Sequence, residues 1–220
     1  MIQTIGDGLG DKTGARERII FAAIGILEKD GARGITTRRI AAEAGVNTAA
    51  VNYYFGSKEE LVRQVLSLTL SHGFADWIEV LEDRSLDAPS RLHAALSIML
   101  EGIERNPGVV RAHMFESGVM EESRVALGGH LSSFLDAAAT LLSPTGAPET
   151  DLRLRLGVAV LAVMSAGLMT EQVETVSPSG RQGIILALVE FVTGCRPTVS
   201  EELEARLAEL RDTAFSSFQP

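Results

Sequence analysis

Residues 45–61 read GVNTAAVNYYFGSKEEL, and they hold both tyrosines of a 220-residue chain. Gly45 supplies a turn conformation that residues with a Cβ atom avoid. Asn47 is a good cap for a helix that follows it. Ser57 and Glu60 have the S-x-x-E spacing of a capping box, which predicts the start of another, longer helix.

Two further helices are predicted before this stretch. Residues 15–29 carry apolar side chains at the spacing of an amphipathic helix, and Thr36 opens a short helix that Gly45 breaks. With the helix after residue 47, these segments make a helix-turn-helix. Val51 and Phe55 lie four residues apart and must point inward. This arrangement leaves four residues on the outer face of the third helix: Thr48, Ala49, Asn52 and Tyr53.

The outer face has the chemistry that reads base pairs. Small side chains at Thr48 and Ala49 let the helix enter a major groove, where both residue types can touch a thymine methyl group. The Asn52 side-chain amide can pair with the edge of an adenine. The face therefore predicts DNA recognition. The alternative is that the short helices belong to an ordinary bundle, with the tyrosines on its surface or at an interface.

Phosphate contacts are predicted from groups around that face. The hydroxyls of Tyr53 and Tyr54 and the ammonium group of Lys58 can reach phosphate oxygens. Lys58 lies at the start of a helix, where unpaired backbone N–H groups favour an anion. Thr36 offers a hydroxyl at a second helix N-terminus.

Charge is distributed unevenly along the chain. The whole protein has a net charge of −9, which argues against a nucleic-acid partner. Residues 11–63 nevertheless contain nine Lys and Arg against seven Asp and Glu, a balance of +2, whereas residues 64–220 contain eleven against 21. Such asymmetry can mark a nucleic-acid-binding module joined to a different domain.

The segment at residues 35–62, ITTRRIAAEAGVNTAAVNYYFGSKEELV, resembles the DNA-binding signature of TetR-type transcriptional regulators. The resemblance lies in T-x-x-x-I-A, then A-G-V, then the aromatic pair closing in Phe55, then S-K-E-E-L. It covers about residues 15–63. The rest of the chain is similar only in being helical and of suitable length.

The resemblance implies a role for each matching position. Residues expected to face bases are Arg38, Thr48, Ala49, Asn52 and Tyr53. Residues expected to hold phosphates are Thr36, Tyr54 and Lys58. Many members carry an aromatic residue where this chain has Asn52, so no base preference is inferred from them at that position. The family further implies a dimeric repressor that binds a palindromic operator and is released by a small-molecule effector.

Almost every other segment is also predicted to be helical, which gives an all-α protein of about nine or ten helices. Residues 1–14 are expected to form a flexible N-terminal arm and residues 15–60 the helix-turn-helix domain. Residues 61–220 form a larger helical domain, for which the resemblance implies effector binding and dimerisation.

Residues 151–176 form a segment that is apolar nearly all round through its middle, and residues 180–194 are similarly apolar. Helices of this kind must be covered by other parts of the protein. A four-helix interface between the protomers of a homodimer would cover them, and so would the core of a monomer. A two-fold dimer would read half-sites about 34 Å apart, one turn of DNA.

An effector pocket is predicted from large apolar side chains, because ligand pockets are mostly apolar with a few polar groups. These side chains indicate an apolar effector, although they fit an ordinary core as well. The candidates are Phe74, Trp77, Ile78, Met99, Ile103, Met114, Phe115 and Phe134, with Leu96 and Leu100 beside them.

The sequence does not indicate a disulfide, a membrane span, a secretion signal or a metal site. Cys195 is the only cysteine, which excludes an intrachain disulfide and fits a reducing cytoplasm. No apolar run approaches the roughly 18 residues of a membrane span, and the N-terminus lacks a secretion signal. No metal or other cofactor is expected, because the histidines are scattered without metal-ligand spacing. A ligand role for His93 or His113 and a redox role for Cys195 are left open.

Enzymatic activity is not expected, because no nucleophile–base pair, paired carboxylates or glycine-rich phosphate loop is evident. Two alternatives to a DNA-binding regulator are a helical interaction module and an enzyme built in the helical core. Neither alternative predicts the steep loss of affinity for random duplex with added salt that DNA contacts produce.

Overall fold

The computed structural model describes residues 10–115, 120–143, 149–169 and 178–216. Within these ranges the fold is all-α, with ten α-helices and a short 3-10 turn at Ala32–Gly34, which confirms the predicted class. The helices are α1 (Gly10–Asp30), α2 (Thr37–Glu43), α3 (Thr48–Phe55), α4 (Lys58–Glu82), α5 (Ala88–Arg105), α6 (Pro107–Phe115), α7 (Met120–Leu142), α8 (Glu149–Leu168), α9 (Pro178–Thr193) and α10 (Glu201–Ser216).

The chain divides into two compact units. The first contains the described residues up to Thr69 together with those of Gly108–Val125. The second contains Leu70–Pro107 and most of the remaining described chain. Residues of α4 therefore belong to both units. The helix α1 begins at Gly10, whereas the sequence predicts a start at about residue 15.

Local capping determines the helix-turn-helix of the first unit. The Thr36 hydroxyl accepts a hydrogen bond from the backbone N–H of Arg39, and this bond begins α2. Gly45 has a φ of +64°, which only glycine adopts at little cost, and it turns the chain toward α3. The Asn47 side-chain oxygen then accepts from the backbone N–H of Ala50 at 2.8 Å, as predicted for a helix cap.

The predicted capping box before α4 forms only in part. The Ser57 hydroxyl accepts from the backbone N–H of Glu60 at 3.1 Å. The Glu60 carboxylate instead accepts from Arg63 and Gln64. A charge-assisted bond to a guanidinium is stronger than one to a neutral N–H, so the carboxylate turns along the helix.

One apolar cluster holds the first unit together. Val51 and Phe55 are buried in it, as the inward face of α3 predicts. Val109 and Ala112 of α6 belong to the same cluster. The Glu28 carboxylate at the end of α1 accepts from the backbone N–H of Val109 at 3.0 Å. Helix α6 therefore belongs to the core of the first unit.

In the second unit, α5 is the central helix, and it packs against α8, α9 and α10. Arg91 is 4 % exposed and donates hydrogen bonds to the carbonyls of Leu81 and Leu141, at 2.9 and 3.2 Å. These carbonyls lie in the last turns of α4 and α7, where helix carbonyls lack intrahelical partners. The Ser200 hydroxyl caps α10 by accepting from Leu203. Thr198 and Glu201 also have the spacing of a capping box, which predicts Thr198 as the cap. The cap is instead Ser200, one residue before α10.

The helix α7 corrects one expectation about apolar runs. Among the described residues, Val125–Leu142 is long and apolar enough by composition to cross a membrane, with a mean hydropathy of 1.3. The stretch includes Asp136, whose carboxylate accepts from Arg153 of α8 at 2.6 Å. Phe134 of the same stretch is buried in the second unit. Core helices of globular proteins pass the same test, so this one helix is weak evidence for a membrane span.

Candidate nucleic-acid interface

The outer face of α3 is open to solvent. Thr48, Ala49, Asn52 and Tyr53 are all exposed, and Tyr53 is 74 % exposed. Val51 and Phe55 on the opposite face are buried. The helix therefore presents two small residues, an amide and a phenol outward, which is a surface that fits a major groove.

The residues predicted to hold phosphates are all at least partly exposed. Thr36 is exposed at the start of α2, and its hydroxyl proton remains available although its oxygen caps the helix. Tyr54 is half-buried, with its ring edge-to-face against Tyr53 at a centroid distance of 5.2 Å. The Lys58 Nζ atom lies 3.3 Å from the Glu59 carboxylate. A phosphate at Lys58 would compete with this exposed and therefore weak ion pair.

Three arginines near the interface, Arg16, Arg18 and Arg39, contact other residues of the first unit. The Arg16 guanidinium lies over the Phe55 ring, 5.4 Å from its centroid, and Arg18 Nε donates to the carbonyl of Ala44 at 3.1 Å. Arg39 donates to Asp30 and to Glu43, and these hydrogen bonds raise the pKa of its guanidinium.

Arg38 differs from these arginines. It is exposed on α2 and makes no ion pair with any described residue. Asp30 and Glu43 are paired with Arg39, and Glu60 is paired with Arg63. Arg38 therefore keeps its positive charge available on the surface.

The carboxylates at the start of α4 are already engaged. The Glu59 backbone N–H and Lys58 lower the pKa of the Glu59 carboxyl. Arg63 and Gln64 lower the pKa of the Glu60 carboxyl to about 2. Both side chains are ionised at neutral pH and complement the positive end of the helix.

A family profile decides the assignment of this domain. A family model described as "bacterial regulatory proteins, tetR family" matches residues 19–65, which include all of α2 and α3. Residues 19–65 thus match the DNA-binding domain of the TetR family. The resemblance that the motif predicts is thereby confirmed.

Curated relatives match part of the chain. A nucleoid occlusion factor SlmA from Idiomarina loihiensis is 31 % identical over 114 residues, which cover 52 % of this chain and 58 % of that protein. The factor of the same name from Aliivibrio fischeri is 33 % identical over 112 residues, covering 48 % and 57 %. The matching region thus spans less than two thirds of these relatives.

Solved structures share the TetR-like fold over most of the chain. A transcriptional regulator from Rhodococcus sp. Rha1 has a TM-score of 0.68 at 20 % identity, covering 84 % of this chain and 99 % of that one. A TetR regulator from Haloarcula marismortui has a TM-score of 0.63 at 20 % identity, covering 84 % and 100 %. FadR from Bacillus subtilis, in complex with stearoyl-CoA, has a TM-score of 0.61 at 16 % identity, covering 81 % and 98 %.

Three of the predicted effector residues come together in the second unit. Phe74 lies edge-to-face on Trp77 at a centroid distance of 4.8 Å, and Phe134 lies 5.8 and 6.0 Å from these two rings. The His130 ring stacks on Phe74 at 5.6 Å. Sequence reasoning missed His130 as a neighbour, although its position four residues before Phe134 on α7 places both on one face.

The other predicted effector residues have different surroundings. Met99 and Ile103 of α5 are buried in the second unit, and Ile78 is half-buried. Met114 and Phe115 belong to the first unit, where Phe115 is 67 % exposed. The assignment of an effector pocket to these residues stays a prediction.

The histidines and the cysteine are placed separately. His113 is buried in the first unit and shares a 2.9 Å hydrogen bond with the Thr69 hydroxyl. His93 is buried in the second unit. Cys195 is an exposed free thiol after α9. Within the described ranges, no three His, Cys, Asp or Glu side chains gather as they do around a metal ion.

Proposed function

We propose that this protein is a DNA-binding transcriptional regulator that reads a palindromic operator as a homodimer. It acts in the cytoplasm as a repressor, and a small-molecule effector releases it from DNA. The observation that carries the proposal is the exposed outer face of α3 on a buried core that also contains α6. A rigid support of this kind holds a reading helix in register with the groove.

The proposed contacts divide into base reading and backbone positioning. Asn52 pairs with a base edge, Thr48 and Ala49 touch methyl groups, and Tyr53 and Arg38 extend to flanking bases. Thr36, Tyr54 and Lys58 hold phosphates. Exposure of Asn52 beside small neighbours supports the first group, and the placement of Thr36 and Lys58 around helix N-termini supports the second.

Dimerisation is supported by an apolar surface on the second unit. Leu154, Val158 and Leu161 of α8 are exposed at spacings of four and three residues, which places them on one side of the helix. Phe191 of α9, which packs against α8, is also exposed. Contiguous exposed apolar surface commonly marks a site of protein association.

The effector is proposed to bind the second unit near the cluster of Phe74, Trp77, His130 and Phe134. An aromatic cluster with one polar ring suits a largely apolar molecule. FadR from Bacillus subtilis, which has a similar fold, was captured with stearoyl-CoA, a molecule with a long apolar chain. Release from the operator requires the effector to bind the non-operator conformation more tightly.

The experiment begins with selection of preferred duplexes from a random pool by the purified full-length chain. We expect a palindrome whose half-sites are about one helical turn apart. Asn52→Ala should then alter which base is preferred at one position of each half-site. Lys58→Ala should weaken all sequences about equally and reduce the slope of log affinity against log salt by about 1 per half-site.

Lys29→Ala is the matched control, because Lys29 is exposed on α1 and belongs to neither group of proposed contacts. It should leave affinity and preference unchanged. Equal loss by Asn52→Ala on every sequence would contradict base reading at that position. A flat salt dependence on random duplex would favour a helical interaction module or an enzyme instead.

A further inference from the structure

A cleft of about 380 Å³ lies between α5, α9 and α10 of the second unit. Its lining includes His93 and Glu101 from α5, Arg181 from α9, and Glu204 and Arg211 from α10. The aromatic rings of the proposed effector site do not line it. The volume lies within the range of small-molecule sites.

His93 is the feature that marks this cleft as a binding site. The residue is only 2 % exposed, yet neither ring nitrogen has a hydrogen-bond partner among the described residues. Buried polar atoms are almost always paired, and leaving one unpaired costs stability. A buried imidazole on the wall of a cleft is therefore a group that a ligand can satisfy.

The protonation state of His93 determines what it can accept. Burial lowers the pKa of its imidazole, while the nearby Glu204 carboxylate raises it and the Arg211 guanidinium lowers it further. The ring is therefore neutral at neutral pH and has one nitrogen lone pair available. A neutral imidazole accepts a hydrogen bond from a ligand N–H.

The charges of the cleft favour a cation over an anion. Arg181 lies 2.9 Å from the Glu104 carboxylate, and Arg211 Nε lies 2.9 Å from that of Glu101, without the alignment of a hydrogen bond. An incoming anion would compete with these carboxylates. Glu204, in contrast, makes no ion pair with any described residue, so a cation finds a free carboxylate beside His93.

We propose that this cleft binds a small organic cation with a primary ammonium group. The ammonium group donates hydrogen bonds to the Glu204 carboxylate and to a ring nitrogen of His93. Leu100, Ile185 and Leu207 supply apolar lining for a short hydrocarbon chain. The site is independent of the proposed DNA contacts, so its test does not involve DNA.

The test uses calorimetric titration of the full-length protein at pH 7.5 with butylamine, which is then a cation, and with butyrate as an anion of similar size. Butylamine should bind saturably, and butyrate should not. The NMR signal of the His93 Cε1–H group, assigned by its loss in His93→Gln, should shift during the same titration.

Two substitutions on α10 separate a specific site from general attraction. Glu204→Gln should weaken butylamine at least about tenfold, the loss expected for one charge-assisted hydrogen bond. Glu202→Gln removes the same charge two residues away, outside the cleft lining, and should leave binding unchanged. The proposal is overturned by absent butylamine binding, by preference for butyrate, by equal effects of both substitutions, or by an unmoved His93 signal.

Discussion

At the scale of single residues, Arg91 shows how a buried charge stabilises the second unit. Its guanidinium donates to carbonyls in the last turns of two helices, Leu81 in α4 and Leu141 in α7. Burial lowers its pKa from the ordinary arginine value, but a guanidinium remains charged at neutral pH. The positive charge complements the negative ends of both helices.

Replacement of Arg91 by methionine should therefore destabilise the protein. The change leaves the buried carbonyl of Leu81 and the partly buried carbonyl of Leu141 without this donor. We expect a loss of about 2–4 kcal/mol in the free energy of unfolding. Chemical denaturation monitored by circular dichroism measures this value. Arg84→Met, at an exposed position nearby, should change it by less than about 0.5 kcal/mol. Similar losses in both variants would show that the two carbonyl contacts contribute little.

Asp76 carries a second prediction at this scale. Burial raises the pKa of its carboxyl to about 6, His72 opposes the shift and Glu79 adds to it. Because the folded pKa lies above the unfolded one, native stability from this group is greatest below about pH 4 and falls as pH rises through 6.

Asp76→Asn should remove the cost of ionisation. We expect a gain of roughly 1 kcal/mol at pH 7.5, less than the full shift would give because Asp76 is partly exposed. This gain corresponds to a rise of about 2–4 °C in Tm. Differential scanning calorimetry at pH 7.5 and pH 4 tests it, since the difference between variant and wild type should vanish at pH 4. A gain that is independent of pH would have another cause.

At the scale of elements, the contact between α1 and α6 depends on the absence of a side chain. A Cβ atom on Gly108 would overlap the backbone carbonyl of Glu28. The backbone cannot move aside as a flexible side chain can. The Glu28 carboxylate also accepts from the N-terminal turn of α6, so the two helix ends are joined at two points.

Gly108→Ala should separate these helix ends and destabilise the first unit by about 1–3 kcal/mol, the usual cost of overpacking. Gly25→Ala is the control, because Gly25 is exposed in α1 and a Cβ there meets no atom within 4 Å. Alanine should instead stabilise that position by about 0.5–1 kcal/mol. Urea denaturation gives both values. Stabilisation in both variants would indicate that α6 adjusts freely.

The sequence predicts interactions between residues that are close in the chain better than those between distant residues. Caps at Thr36, Asn47 and Ser57 join residues three positions apart, and their residue types are sufficient to predict them. The pairing of Glu28 with Val109 spans 81 positions, and that of Glu104 with Arg181 spans 77. No local pattern predicts such pairs, because they depend on how complete helices pack.

The same distinction between local and distant residues applies to the two candidate sites. Exposure of the α3 face follows from two buried residues four positions apart, so the surface was predictable. The cleft at His93 was not, because α9 and α10 lie more than 70 positions after α5 in the chain. The cap of α10 is Ser200 and not Thr198, because the helix starts later than the residue types alone indicate.

At the scale of the whole molecule, self-association is expected to depend on the exposed apolar side of α8. Leu161→Glu should convert a dimer to a monomer, since a charge on the patch would be desolvated at the interface. It should also weaken binding to a palindromic duplex by at least tenfold, because one reading domain contacts only one half-site. Size-exclusion chromatography with light scattering measures the mass, and a gel shift measures the affinity.

Val125→Glu provides the comparison, because Val125 is an exposed apolar residue on α7. This variant should retain the mass and the DNA affinity of the wild type. A wild-type mass of one protomer at micromolar concentration would contradict the homodimer outright. Loss of mass in both variants would place the interface on a wider surface than α8 and α9.

The single exposed thiol at Cys195 has a practical consequence for these questions. A nitroxide label attached there would be unique in each protomer, and no cysteine would first have to be removed. Because Cys195 follows α9 closely in the chain, pulsed electron paramagnetic resonance would report the spacing of two symmetry-related spins near the proposed interface. The wild-type sequence can therefore be labelled at one position for a distance measurement between protomers.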